Sequence, residues 1–160
     1  MLFILFFGSQ VLAGEQCYSQ DEMHAEQLLR LHSELMVITV TCHRSSVGED
    51  LVPKYTGFTR RNIHVLHEAE QTLIRYYHTA FGGDGIPRLD KLRTRLANEY
   101  GQQIADMSAP AFCEERRDKP LAMYTANPDQ IDLEVERMMT SEKSYAQLCG
   151  DSSMRIAKRK

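Results

Sequence analysis

The sequence predicts an all-α protein: an antiparallel bundle of four main helices plus a short helix, stapled by two disulfides. Three observations carry that expectation. Apolar residues recur at three- and four-residue steps through four long stretches. With no Trp, 9 Gly and 5 Pro in 160 residues, the chain is poor in the residues of a repeated strand-and-turn architecture. Its 4 cysteines, Cys17, Cys42, Cys113 and Cys149, are even in number and widely spaced, the pattern of a disulfide framework in an exported chain. A chain of this length builds one core rather than two. The 42% hydrophobic and 26% charged residues exclude disorder, and a net charge of −3 gives no support to a general nucleic-acid binder.

The first thirteen residues carry no charge; an apolar run from Leu2 to Phe7 leads to Val11-Leu12-Ala13. The run is far short of the ~20 residues a membrane span needs. It reads as a signal peptide over 1–13, cleaved after Ala13, although basic residues ahead of the run are missing. The mature chain then has no transmembrane anchor and is periplasmic or secreted, with a single helical domain at 14–150 and a basic tail at 151–160.

Ser19-Gln-Asp-Glu22 is a capping box that opens the first helix, Asp21–Cys42. Its Leu28, Leu31, Leu35, Ile38 and Cys42 fall within about 80° of arc, widened by Leu29, Met36 and Val40. That width suggests a central, heavily packed helix, with Glu26, Gln27, Arg30 and Glu34 on the remaining, polar face. Residues 43–55, with Ser45, Ser46, Gly48 and Pro53, read as a loop. A second helix runs from Thr56 or Gly57 to Phe81 and ends at Gly82-Gly83, burying Phe58, Val65, Leu66, Ala69, Leu73, Tyr76, Tyr77 and Ala80. The third opens at Pro87 and keeps a stripe of Leu89, Leu92, Leu96, Tyr100, Ile104 and Met107. A short helix carries Phe112 and Cys113 and breaks before Pro120. Asn127-Pro-Asp-Gln130 caps a last helix that runs to Cys149, with Ile131, Val135, Met138, Met139, Tyr145 and Ala146 inward.

In an up-down bundle of these helices only two pairs of cysteines share an end, Cys42 with Cys113 and Cys17 with Cys149. No C-x-x-C, haem-attachment or zinc-knuckle spacing is present, so the spacing points to no cofactor.

Four charged or polar residues project into the apolar arcs: His24 and His32 on the first helix, Glu70 on the second and Arg93 on the third. An unpaired buried charge costs several kcal/mol, so these groups are expected to meet. With Cys42 level with Phe58 in an antiparallel pair, His32 lies within a turn of Glu70, and His24 lies level with Tyr76. His24, His32, Glu70, Arg93 and Tyr76 therefore form the candidate ligand-binding group, competing with a reading in which they only fix helix register. His64 and His67, one turn apart, can offer two metal ligands, fewer than a zinc site wants; a solvated face is the competing reading.

No G-x-S-x-G, S-x-x-K or phosphate-cradling glycine loop is present, and Glu34 or Glu70 as a glycosidase acid has no partner that spacing identifies. Arg88, Lys91 and Arg95 share one helix face, with Arg116, Arg117 and Lys119 nearby in sequence. Such a patch can dock on an anionic envelope component or an acidic protein. The sequence thus predicts an exported, non-enzymatic binding or accessory protein that acts by contact with another protein or an envelope component. The alternatives are a small-ligand or metal-binding bundle using the His/Glu/Arg group, and a hydrolase of envelope glycans.

Overall fold

The computed structural model describes residues 16–45 and 50–150, over which the chain forms seven helices. These are α1 (Gln20–Cys42), α2 (Leu51–Arg61), α3 (Ile63–Phe81), α4 (Ile86–Met107), α5 (Ala109–Glu115), α6 (Asp118–Thr125) and α7 (Pro128–Ser141). The expected signal segment at 1–13 and the basic tail at 151–160 lie outside the described residues.

The capping box forms as expected: Glu22 N donates to Ser19 Oγ at 3.3 Å and Ser19 N donates to the Glu22 carboxylate at 2.7 Å. From there α1 packs against α2, α3, α4, α5 and α7, so it is the axis of the bundle. Leu28, Leu31, Leu35, Ile38 and Cys42 are all buried. The helix is central, as its wide apolar side suggests, and centrality buries the polar face as well: Glu26 and Gln27 are 0% exposed, Glu34 1% and Arg30 3%. Periodicity finds the most apolar arc of a helix; it is silent on whether other helices cover the opposite side. Met36, Val40 and Val65, expected inside, are exposed.

Two prolines mislead the sequence reading in the same way. The expected loop over 43–55 turns helical at Leu51, and Pro53 is the third residue of α2. Pro120, expected to break a helix, is the third residue of α6. A backbone N–H in the first turn has no intrahelical acceptor, so proline removes nothing there. Leu51, Pro120 and Tyr124 are buried, which anchors both short helices. Tyr124 lies with its hydroxyl 2.5 Å from Thr39 Oγ1 and donates to the Leu35 carbonyl at 3.3 Å, tying α6 to the axis. Between α2 and α3 the chain breaks at Asn62 (φ −105°), whose Nδ2 donates to the Phe58 carbonyl at 2.9 Å. Its amide competes there for a carbonyl of the helical ladder.

At the α3–α4 turn, Gly82 and Gly83 take φ values of 71° and 73° that a side chain would oppose. Gly85 then presses on α3 so closely that a Cβ would stand 2.3 Å from the Ile74 carbonyl oxygen. That contact sets the first turn of α4 beside the end of α3.

Asn127 and Gln130 cap α7 reciprocally, each bond 2.9 Å. The helix stops at Ser141 rather than Cys149: Glu142 is extended (φ −103°, ψ 157°), and the chain continues irregularly to a parallel bridge between Tyr18 and Leu148. The buried polar side of α1 holds this segment. Gln27 Nε2 donates to the Lys143 carbonyl at 3.3 Å, and Tyr145 N donates to the Glu26 carboxylate at 3.1 Å.

The disulfides are Cys17–Cys149 and Cys42–Cys113, with Cα separations of 5.0 and 5.5 Å, the pairing expected from the up-down order. Their sequence separations of 132 and 71 residues correspond, in the loop-entropy account, to about 5 and 4.4 kcal/mol.

Candidate functional site

The residues singled out by register come together only in part. Arg93 hydrogen-bonds the Glu70 carboxylate across α3 and α4, and His67 Nδ1 lies 3.9 Å from the same carboxylate. This is a rim pair rather than a sealed group, with the Arg93 side chain 45% exposed. His32 is packed against α2 instead: its Nε2 is 2.9 Å from the Tyr55 hydroxyl, and the two rings stack at 5.7 Å. Burial, with the Arg93 charge nearby, pushes the His32 pKa down to about 4. His24 lies apart, 3.6 Å from Asp132 of α7, and Tyr76 packs edge-on against Tyr18 at 4.7 Å. His64 and His67 are both exposed. Among the described residues no three His, Cys, Asp or Glu side chains are grouped to hold a metal ion.

The polar groups that do lie inside are those of α1. Glu34 receives Arg116 Nη1 at 2.6 Å and Lys119 Nζ at 2.5 Å. Arg116 also donates to Gln103 Oε1 at 2.7 Å, and Lys119 reaches Glu134 at 3.2 Å. Further along, Arg30 hydrogen-bonds Glu99 and lies 3.7 Å from Glu26; Glu99 also accepts from the Tyr145 hydroxyl. Burial pushes the Glu26 carboxyl upward, opposed by the Tyr145 backbone N–H and by Arg30. In the sequence, Glu26, Arg30 and Glu34 alternate in sign at four-residue steps, the signature of a solvated charge ladder. The hint to the contrary is the apolar side widened by Leu29, Met36 and Val40, which suggests a central helix.

This network ends at a small cavity of about 210 Å³ at the Cys17–Cys149 end of the bundle. Its walls are Tyr18, Tyr76, Tyr77 and Phe81 from one side and Leu92, Tyr145 and Ala146 from the other. Tyr18 is 1% exposed and its hydroxyl stands 3.4 Å from that of Tyr77. Burial pushes both phenols upward. The backbone of Tyr18 is pinned between Gln147 and Cys149: its N–H donates to the Gln147 carbonyl at 2.7 Å, and its carbonyl accepts from Cys149 N at 2.8 Å. The disulfide therefore places the floor of the cavity.

Its rim is basic. Arg88, Lys91 and Arg95 line it from α4, and their spacing sets them within about 60° of arc over two turns. The Arg88 guanidinium lies 4.1 Å from the Phe81 ring centre, and that of Arg95 4.7 Å from the Tyr145 ring centre. Both charges act on the Tyr77 phenol, opposing the upward push of burial. Among the described residues none of the three cations has a carboxylate within ion-pair distance. The neighbouring basic residues in the sequence differ: Arg116 and Lys119 are held by Glu34, and Arg117 by Glu114 and Asp118.

A larger groove of about 770 Å³ lies between α1, α7 and the final segment. Its lining mixes Met23, His24 and Met139 with Asp21, Glu136 and Glu142. Among the described residues no helix is long and apolar enough to cross a membrane.

Compared with known families, characterised proteins and solved structures, the chain has no significant match.

Proposed function

We propose that the protein is an exported, non-enzymatic binding protein that engages an anionic partner through the basic face of α4. The partner is an envelope component or an acidic protein surface. One observation carries the reading: Arg88, Lys91 and Arg95 stand together around a concave site with no acidic partner among the described residues, whereas Arg116, Arg117 and Lys119 are tied to carboxylates. Unpaired like charges repel and are not explained by folding stability; an anionic surface compensates them and speeds encounter. Two disulfides and no free cysteine among the described residues support export to an oxidising compartment, periplasmic or extracellular. The alternative site built from His24, His32, Glu70 and Arg93 has less to recommend it, because only Glu70 and Arg93 meet, while His24 and His32 face Asp132 and Tyr55. As a glycosidase acid Glu34 is unsuited, being sealed in the core between Arg116 and Lys119.

The test is co-sedimentation of the mature protein with its own envelope fraction, at low salt and at ~0.5 M salt, where screening is strong. The wild type should sediment at low salt and be released at high salt. Arg88→Glu, Lys91→Glu and Arg95→Glu together should abolish sedimentation while leaving the helical circular dichroism unchanged. Equal sedimentation of the triple variant would sink the proposal.

A further inference from the structure

We propose that the cavity beneath α4 receives a terminal phosphate group, and that this is the feature by which the anionic partner is held; the inference rests on the binding role proposed above. Size comes first. At about 210 Å³ the cavity has the liquid volume of roughly seven waters at ~30 Å³ each. One phosphate and a few attached atoms fill it, and the remainder of the ligand stays outside.

Hydrogen-bonding capacity points the same way. The Arg88 and Arg95 guanidinium groups lie over the Phe81 and Tyr145 rings, 4.1 and 4.7 Å from their centres, contacts that hold the side chains without supplying an oxygen acceptor for their N–H groups. Neither side chain makes a hydrogen bond to the protein among the described residues, although Arg30 nearby is engaged by Glu99. Two pre-oriented forks with no acceptor match the several oxygens of a phosphate, which accepts bidentate Arg contacts. Lys91, between them in sequence, adds a point charge.

Charge decides between oxyanions. Three unpaired cations surround the cavity, and a carboxylate would offset only one. A phosphate monoester carries about −1.5 to −2 at neutral pH and offsets most of the excess. The aromatic walls, with Tyr18 and Tyr77 at the base, exclude water from one side and strengthen those contacts.

The experiment is titration of the full mature protein with glycerol 3-phosphate, inorganic phosphate and acetate, followed by calorimetry and by the backbone NMR shifts of α4. Glycerol 3-phosphate should bind, saturably and at least about tenfold more tightly than acetate, with shifts centred on Arg88 and Arg95. Arg88→Lys with Arg95→Lys keeps the charge and removes the forks. It should weaken the phosphate ester about tenfold and lower sedimentation with the envelope alongside it. Vesicles of phosphatidylcholine with and without phosphatidic acid distinguish the source: retention on phosphatidic acid that free phosphate competes away means a lipid headgroup, and binding only in solution means a soluble phosphate ester. Phosphate binding no tighter than acetate, or unchanged in the double-lysine variant, overturns the inference. In that event loss of sedimentation in the triple-glutamate variant would leave the general binding role standing.

Discussion

Glu34 is the most sharply testable group in the core. It is 1% exposed and sits between Arg116 and Lys119 at 2.6 and 2.5 Å, so it links α1 to α6 and to the turn that follows α5. With an effective dielectric near 20, each contact has a gross Coulomb energy of about 6 kcal/mol. Desolvating three charges removes most of that gain. The cost of Glu34→Ala is therefore set by what remains: two cations whose side chains are 24% and 22% exposed and can partly turn to water. Breaking a fully buried pair costs about 3–5 kcal/mol, and this relief puts the expectation at the low end, about 3 kcal/mol. For a domain of this size that is a fall in Tm of about 10 °C. Glu136→Ala, at an exposed position of α7, should stay within about 0.5 kcal/mol.

Urea denaturation of both variants, followed by circular dichroism with the disulfides intact, makes the comparison. A third variant checks the cause. Glu34→Leu with Arg116→Met and Lys119→Met removes all three charges, and should recover most of the lost stability because nothing is left stranded. If Glu34→Ala costs no more than Glu136→Ala, the contacts do not persist in solution and the burial argument fails. If the triple variant is less stable than Glu34→Ala, desolvation is not what sets the cost.

Other expectations follow from single features. His32 is held near pKa 4 against an ordinary 6.5, so the unfolded chain takes up a proton between those values that the folded chain refuses. Stability should fall as pH drops from 6.5 to 4, by up to about 3 kcal/mol, and His32→Gln should lessen the loss in denaturation series at pH 7 and 4.5. Gly85→Ala forces a Cβ into the Ile74 carbonyl and should destabilise by about 1–3 kcal/mol, read as a lower urea midpoint. Cys17→Ser with Cys149→Ser should cost up to about 5 kcal/mol and raise the quenching of tyrosine fluorescence by acrylamide as Tyr18 loosens. N-terminal sequencing of exported protein should begin at Gly14 or within a few residues of it; an intact Met1 would remove the basis for export.

How much of this was legible in the sequence depends on which physical signal each feature leaves there. The helical class, the cap at Ser19, the cap at Asn127 and the cysteine pairing follow from local periodicity and from which helix ends can meet, and the structure has them all. The burial of Glu26, Arg30 and Glu34 does not follow, since a charge ladder at four-residue steps looks the same in water as when flanked by Arg116, Lys119 and Glu99. The end of α7 was equally hidden. Ser141-Glu142 carries no breaker, and the chain leaves the helix because Glu26 and Gln27 offer its backbone partners. Of the expected polar group, Glu70 and Arg93 meet, a contact expected from the cost of leaving a charge unpaired, whereas the register that set His32 within a turn of Glu70 did not hold them together. It missed Tyr55 as the neighbour of His32, because Tyr55 lay in a segment read as loop.

The two basic clusters show why charge in a sequence does not by itself indicate a surface for binding. Arg116 and Lys119 sit within eight residues of Cys113 and resemble the α4 set in every local respect. Their difference lies at the other partner: a buried carboxylate that cannot be left alone, so those cations are required by folding and are not free to recruit anything. Among the described residues Arg88, Lys91 and Arg95 answer to no carboxylate within ion-pair distance. The rings of Phe81 and Tyr145 support two of them with at most ~1 kcal/mol each at exposed positions, too little to account for three repelling charges over two turns. A folded chain gains nothing from that concentration. An anionic ligand does, and the place where Arg88, Lys91 and Arg95 would offset its charge is also one that the Cys17–Cys149 bridge holds in shape.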